Sequence, residues 1–139
     1  MNNNTKILNE ISSYLNGNLE VSFAYLYGSF SSEYQTKFSD IDIAIYQTIK
    51  KSSYDYRMIE FRIEADLCHL FPKFNFDVRS LNDAPIIVTG KIINEGKPIF
   101  VRNENRHLDF VELNRLKYMD YQIIYKPLFD YRYKQLLND

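Results

Sequence analysis

The sequence has few of the features that mark secreted, disulfide-bonded or membrane-embedded proteins. Cys68 is its one cysteine, so an internal disulfide framework is excluded and a reducing compartment is indicated. The first four residues, Met-Asn-Asn-Asn, have neither the basic start nor the apolar stretch of a signal peptide. No apolar run reaches the length of about 18 residues that a membrane span needs. We therefore expect a soluble, cytoplasmic protein that does not contact a membrane.

An excess of charge of one sign is also lacking. The 17 basic and 18 acidic residues give a formal net charge of -1. Proteins that bind nucleic acid by neutralising its phosphates normally carry a basic face, so direct nucleic-acid binding is not expected. Tryptophan is absent, although 12 tyrosines and 10 phenylalanines are present. The 139 residues suffice for one domain with a single core between two layers of secondary structure.

What the sequence does contain is a short arrangement of small and acidic residues around two predicted strands. Residues 19–27 are apolar and end abruptly at Gly28 and Ser29. Residues 40–46 alternate, with isoleucines on one side and Asp42 on the other, as in a half-buried strand. Asp40 and Asp42 therefore project from one face of that strand, separated by roughly 6.5 Å of rise.

This arrangement suits the binding of a nucleoside triphosphate. Two carboxylates at that separation can turn inward and share divalent cations about 3.5–4 Å apart. A Gly-Ser turn lets the backbone approach phosphate oxygens closely and offers N–H groups and a hydroxyl to them. Taken singly, an Asp-x-Asp pair is more often a solvated strand end, and a Gly-Ser pair is more often a simple turn. The joint pattern is far more specific and predicts a phosphate cradle beside a two-carboxylate metal site.

Gly28 and Ser29, followed by Asp40 and Asp42, resemble the signature of the DNA-polymerase-β-like nucleotidyltransferase superfamily. The chain is too short for the accessory domains of the polymerases or the aminoglycoside nucleotidyltransferases. Its size and layout are most similar to the minimal nucleotidyltransferases (MNT) of the MntA type, which are antitoxins encoded beside HEPN-domain toxins. The resemblance covers nearly the whole chain. It implies an α/β (α+β) fold, a small mixed sheet flanked by helices, in a single domain (1–139) with a C-terminal helical tail (about 103–139).

The resemblance also implies a third metal-facing carboxylate on a later strand, for which Asp77 is the candidate. The sequence alternates around it, so that Phe76 and Val78 face one way while Asp77 and Arg79 face the other. Asp77 can thus lie beside the first two aspartates on a neighbouring strand about 4.8 Å away. The competing interpretation is a charge at a strand edge that prevents aggregation.

Apolar spacing predicts helices around these strands. One is predicted over residues 5–16 and a second over 53–71, which Pro72 ends. The second has an apolar stripe at helical spacing suited to one face of a sheet, formed by Ile59, Ile63, Leu67 and Leu70. Next to this stripe we expect Cys68 to be a buried thiol.

The segment after Asp77 is less clear from its residues. Asn82 or Asp83 is expected to cap a helix with Pro85 in its first turn. Residues 86–94 are rich in β-branched side chains, which favours a strand, whereas the resemblance implies a helix; we adopt the helix. Residues 97–101 follow as a short strand, which Pro98 places at an edge of the sheet.

Residues 103–137 have a helical pattern, in which Pro127 is expected to kink or split the helix. Tyr118, Tyr121 and Tyr125 lie at helical spacing within it. A tyrosine stripe of this kind is either the partly buried edge of a core or a surface that docks another protein. The residues alone leave both interpretations open.

The resemblance implies a Mg²⁺-dependent protein adenylyltransferase. The triphosphate of ATP would lie against Gly28 and Ser29, and Asp40 and Asp42 would hold Mg²⁺, with two ions in all. Asp77 would hold the second ion or accept the proton of the attacking hydroxyl. AMP would pass to a hydroxyl, expected to be a tyrosine, of a cognate HEPN ribonuclease toxin and silence it. Two alternatives stay open: a non-catalytic antitoxin that acts by binding alone, and an enzyme that modifies a small-molecule hydroxyl.

Overall fold

The computed structural model describes residues 3–28 and 40–138. Helices and strands alternate through most of this part of the chain, and a C-terminal helical segment ends it. The elements in chain order are α1 (Asn3–Asn16), β1 (Val21–Tyr27), β2 (Ile41–Gln47), α2 (Ser53–Leu70), β3 (Phe76–Ser80), α3 (Ile86–Glu95), β4 (Lys97–Val101), α4 (Glu104–Asp120), a π-helical turn (Tyr121–Tyr125) and α5 (Lys126–Asn138).

The four strands form one mixed sheet in the order β3-β2-β1-β4. Strand β1 is antiparallel to both of its neighbours, β2 and β4, whereas β2 and β3 run parallel. Strand β4 lies at an edge with Pro98 in it, as predicted. The expected fold class, a small mixed sheet flanked by helices, is therefore confirmed.

The sheet has an aliphatic core on one face and a largely aromatic one on the other. Ile41, Ile43 and Ile45 of β2 are fully buried in the first core, with residues of α1 and α2. The second core surrounds Phe23 and Tyr25 of β1 and is covered by residues of α3 and α4. Strict alternation along β2 thus places its isoleucines under α1 and α2, and Asp42 and Ala44 on the α3 and α4 face.

Helix α2 packs with a stripe that differs from the predicted one. Ile63 and Leu67 are fully buried as expected, but Leu70 is 52% exposed. Cys68 is also exposed, so the prediction of a buried thiol is wrong. It lies one residue, about 100° of helical rotation, beyond Leu67 and therefore off the buried face. A carboxylate, Glu60, takes part in the buried stripe instead.

Two glutamates of α2 hold the outer edge of β3. Glu60 accepts a hydrogen bond from the Ser80 amide at 2.9 Å, and Glu64 accepts one from the Val78 amide at 2.7 Å. These amides point away from β2 and would otherwise form an open sheet edge. The edge is thereby closed by side chains one helical turn apart, which fixes β3, and Asp77 with it, against β2.

The turn after β3 is built differently from the prediction. Pro85 is itself the N-cap residue of α3, and no side chain makes a capping hydrogen bond there. The side chain of Asn82 instead bonds the backbone of Gln47 twice, accepting from its amide at 2.8 Å and donating to its carbonyl at 3.0 Å. Asn82 therefore extends the β2 pairing beyond the end of β3. The predicted helix over 86–94 is confirmed as α3, because its apolar residues pack on the sheet and override their strand propensity.

The C-terminal segment stays helical past Pro127. Five residues of π-helix precede the proline, and the Lys126 amide bonds the Tyr121 carbonyl five residues back. In place of the predicted kink or split at Pro127, the helix widens into a π-helical turn before the proline and then continues. None of the helices in the described ranges is both long enough and apolar enough to cross a membrane.

The predicted tyrosine stripe divides into two parts. Tyr118 is half-buried against α3, where a Cβ on Gly90 would lie 2.2 Å from its ring. Tyr125 is 51% exposed, and every residue of α5 is exposed as well. The stripe begins as the edge of the core and ends as open surface.

Candidate active site

A row of three polar side chains crosses the sheet on the α3 and α4 face. In the strand register Asp42 of β2 pairs with Asp77 of β3 on one side and with Tyr27 of β1 on the other. Residues paired across neighbouring strands project from the same face, about 5 Å apart. Asp42 is half-buried in the middle of this row. The predicted neighbourhood of Asp42 and Asp77 is therefore present.

Gly28 lies directly against Asp42. Its φ is +76°, a left-handed conformation that only glycine adopts at little cost. A Cβ at this position would lie 2.3 Å from Oδ2 of Asp42. Both the backbone conformation and the available space thus require glycine, and they bring the backbone of the turn next to the carboxylate.

The surroundings of Asp42 disfavour the ionised form of its carboxyl group. Burial raises the pKa of its carboxyl group, and the negative charges of Asp77 and Asp40 raise it further. The positive charge of Arg79 acts in the opposite direction but does not prevent the rise. The site therefore concentrates negative charge that a bound cation would relieve.

Arg79 partly neutralises Asp77. The two residues are adjacent on the same face of β3, and Nε of Arg79 lies 3.4 Å from each carboxylate oxygen. The carboxylate in turn raises the pKa of Arg79. Arg79 is 71% exposed on its side-chain surface, so this contact is solvated and weak.

Tyr27 supplies an un-ionised hydroxyl beside the carboxylates. Burial, together with the charges of Asp42 and Asp77, raises its pKa to about 12. The phenol is protonated at neutral pH, as an ordinary tyrosine also is, and can act as a hydrogen-bond donor.

The remaining predicted site residues lie at the margin of this row or outside it. Asp40 is exposed and immediately precedes β2, which begins with the Ile41 amide bonded to the Asn75 carbonyl at 2.8 Å. Its effect on Asp42 is electrostatic. The predicted phosphate contact Ser29 lies outside the described residues. Within residues 3–28 and 40–138, no three His, Cys, Asp or Glu side chains converge into a group that could hold a metal ion.

Sequence reasoning did not assign a role in the site to Tyr27 or Arg79. Both had a signal in the sequence: Tyr27 ends β1 immediately before the glycine turn, and Arg79 alternates in phase with Asp77. The pairing of Tyr27 with Asp42 depends on the strand register, which the sequence does not give.

Comparison with known proteins decides the family. Residues 9–105, more than half of the chain, match the family described as polymerase beta, nucleotidyltransferase. The chain belongs to this family. A comparison with curated protein sequences finds no significant match.

Several solved structures share the fold of this nucleotidyltransferase. The MntA–HepT toxin–antitoxin structure matches with a TM-score of 0.67 at 18% identity, over 91% of this chain and 96% of that one. A structure of tri-AMPylated Shewanella oneidensis HEPN toxin in complex with MNT antitoxin matches with a TM-score of 0.69 at 19% identity, over 91% and 96%. A toxin–antitoxin structure with AMP-PNP matches with a TM-score of 0.64 at 21% identity, over 99% and 98%.

The carboxylates of Asp42 and Asp77 in this nucleotidyltransferase are the type of ligand that a divalent cation binds. Carboxylate oxygens are the ligands that Mg²⁺ prefers. The charges of Asp77 and Asp40 raise the pKa of Asp42, and a bound cation would offset this repulsion. Asp77 faces Arg79 in this arrangement, so its carboxylate would have to release the guanidinium of Arg79 before it could bind a metal ion.

Proposed function

We propose that this chain is an antitoxin that transfers AMP from ATP to a tyrosine hydroxyl of a cognate HEPN ribonuclease toxin and thereby silences it. The observation that carries the proposal is the register pairing of Asp42 with Asp77, with Gly28 pressed against Asp42. A non-catalytic binding module has no physical need to hold like charges together beside a glycine turn. Membership of a nucleotidyltransferase family gives this arrangement its chemistry.

In the proposed reaction the toxin hydroxyl oxygen attacks the α-phosphorus of ATP in line. The new bond joins that oxygen to phosphorus, the bond to the oxygen bridging the α- and β-phosphates breaks, and pyrophosphate leaves. The hydroxyl proton passes to a carboxylate, for which Asp77, the register partner of Asp42, is the candidate. Most of the catalysis consists of positioning and charge neutralisation.

Each residue of the row has a proposed part. Asp40 and Asp42 would hold Mg²⁺. Asp77 would either hold the second ion, once Arg79 turns away, or accept the hydroxyl proton. Bound Mg²⁺ supplies positive charge that neutralises the phosphates and polarises the phosphorus centre. The backbone at Gly28 and the hydroxyl of Ser29 approach the triphosphate. Tyr27, whose phenol is protonated at neutral pH, donates a hydrogen bond to a phosphate oxygen or to a carboxylate.

The proposed contact with the toxin is the exposed face of α5. Helices of this length gain most of their stability by packing an apolar face, yet no residue of α5 is buried. Phe129, Tyr133 and Leu136, spaced four and three residues apart, are 53%, 64% and 75% exposed. An uncovered apolar stripe of this kind marks an interaction surface. The solved toxin–antitoxin structure with AMP-PNP matches over 99% of this chain, so its shared fold includes this helix.

The deciding experiment mixes the protein with Mg²⁺, ATP and the HEPN-domain product of the adjacent gene, followed by intact-mass measurement. We expect the partner to gain one or more AMP units. Asp40→Ala/Asp42→Ala should abolish the gain, while Asp109→Ala/Glu112→Ala, which removes two exposed carboxylates of α4, should preserve it. EDTA should also abolish it. An unmodified partner in the wild-type reaction would refute the proposed transfer.

A second candidate is an antitoxin that acts by binding alone, and the exposed stripe of α5 favours it. Its signature is a toxin that stays silenced, unmodified, in the complex with Asp40→Ala/Asp42→Ala. Phe129→Asp should weaken the complex at least tenfold under either candidate. Gln135→Asp, which adds the same charge to α5 off the stripe, should leave affinity within about twofold. Loss of affinity in both variants would show that charge, and not the stripe, governs binding.

A further inference from the structure

A cavity of about 160 Å³ adjoins the row of Tyr27, Asp42 and Asp77. Tyr27 and Arg79 line the cavity and also belong to the active site. Its floor includes Ala44, and its opposite wall includes Val88 and Ile92 of α3. The cavity therefore borders the row at Tyr27 and, through the contact of Arg79 with Asp77, at the carboxylate of Asp77.

The strand register gives the position of the cavity relative to the carboxylates. Ala44 pairs with Arg79, two residues beyond the pair of Asp42 and Asp77. Two strand residues correspond to about 6.5 Å. A group bound over Ala44 is thus separated from the carboxylates by the length of one small linking unit, as the base of a nucleotide is separated from its α-phosphate by the ribose.

The lining suits a flat apolar ring with a polar edge. Ala44, Val88 and Ile92 offer aliphatic surface, whereas Asp83 and Arg57, which is bonded to it, lie at the polar side of the cavity. Pockets for small ligands typically combine apolar walls with a few placed polar groups. An aromatic ring held between the sheet and α3 would use both kinds of surface.

Asp83 is held in place by a chain of ionic contacts. Its Oδ1 accepts from Arg57 at 2.7 Å, and the same guanidinium nitrogen lies 2.9 Å from the buried Glu60. Glu60 is fixed in turn by the Ser80 amide. This chain of contacts restrains the carboxylate at the side of the cavity before any ligand arrives.

We infer that this cavity binds the base of the nucleotide and that Asp83 selects adenine by accepting a hydrogen bond from its exocyclic amine. The inference rests on the proposed function and adds the base preference of the same site. Adenine presents an N6 amino donor where guanine presents the O6 acceptor. A carboxylate facing O6 would leave two acceptors opposed without a proton between them, so guanine is disfavoured.

The first test narrows the cavity. Val88 and Ile87 are neighbours on α3, 44% and 38% exposed, but of the two Val88 lines the cavity. Val88→Phe should weaken ATP binding at least tenfold by calorimetry in Mg²⁺ without any partner, while Ile87→Phe stays within twofold. Thermal melting of both variants checks folding. Equal affinities in two folded variants would overturn the inference.

The second test addresses selectivity with ATP and GTP as the probes. Asp83→Asn supplies an amide that can also donate, so the ratio of ATP to GTP affinity should fall at least tenfold. Glu20→Gln removes a comparable exposed ion pair, to Arg62 at 2.6 Å, and should leave the ratio unchanged. An unchanged ratio in Asp83→Asn would refute the role of Asp83.

The outcomes separate this inference from the proposed transfer. Tight, adenine-selective binding that Val88→Phe destroys would support the cavity even if the wild-type protein left the toxin unmodified. If Val88→Phe binds ATP normally but raises the KM for the toxin, the cavity seats the acceptor and the inference is wrong.

Discussion

Strand β2 separates two environments that are made from alternate residues of one seven-residue stretch. Ile41, Ile43 and Ile45 are fully buried in the aliphatic core under α1 and α2. On the opposite face Asp42 lies among like charges that, with burial, raise its pKa. The first face gains free energy from burial, whereas ionisation of Asp42 opposes folding on the second. The buried core and the proposed chemistry thus lie on opposite faces, and substitutions on each face should affect different measurements.

The largest expected effect is on activity and comes from the polar face. Asp42→Asn should reduce the proposed AMP transfer by about 1,000-fold or more, because the proposed metal-binding charge is lost. The metal-free melting temperature should stay unchanged or rise, because like-charge repulsion is relieved. Intact-mass kinetics and thermal melting in EDTA measure the two quantities. A marked drop in melting temperature would mean that Asp42 is structural and would break the comparison between the faces.

The complementary substitution on the aliphatic face is Ile43→Ala. Removing a fully buried isoleucine should lower the free energy of unfolding by about 2–5 kcal/mol. Transfer per folded molecule should stay close to that of the wild type. Ile49→Ala, at a 65% exposed position, serves as the control and should change stability by less than about 0.5 kcal/mol. Chemical denaturation measures both; a loss of specific activity in folded Ile43→Ala would show that the faces are coupled.

Gly28→Ala should lower both stability and the proposed AMP transfer, since this glycine has a left-handed backbone conformation and lies against Asp42. The positive φ strains alanine, at a cost of about 1–3 kcal/mol. The Cβ of alanine would lie 2.3 Å from Oδ2 of Asp42, so the side chain of Asp42 must move. A shift of about 1 Å in a reacting group can reduce the rate about 100-fold. Gly17→Ala is the matched control, because the nearest atom would be 3.5 Å away. Equal behaviour of the two variants would contradict the role given to Gly28.

Much of this architecture follows from local patterns in the sequence. Alternation around Asp42 and Asp77 predicted which residues share a face, because a strand has a side-chain period of two. Helix α1 and the edge position of Pro98 also followed from spacing and backbone chemistry. Helix α3 needed the family resemblance, because the strand propensity of its β-branched residues is overridden by packing on the sheet.

Features that depend on long-range contacts were not predictable in this way. The burial of Glu60 compensates the open edge of β3, and that requires knowing which strand lies under α2. The double bond from Asn82 to Gln47 depends on the same pairing, so local capping rules misassigned it. Tyr27 joins the site through strand register. The metal-binding roles of Asp40 and Asp42 stay predictions that the variants above test. The role of Asp77 and the phosphate contact of Ser29 also stay predictions.

The smallest expected effect is a pH dependence of the difference in melting temperature between Asp42→Asn and the wild type. The folded-state pKa of Asp42 is raised above its ordinary value, so the folded protein keeps a proton that the unfolded chain has released. Stability from this group is therefore lost as pH rises from the ordinary pKa through the raised one. The melting temperature of Asp42→Asn minus that of the wild type, in EDTA, should grow from pH 4 to pH 7. Glu64, whose pKa burial also raises, is present in both proteins and cancels. Adding Mg²⁺ at pH 7 should shrink the difference by stabilising the wild type alone, whereas a difference that is constant with pH would mean that Asp42 carries no electrostatic cost.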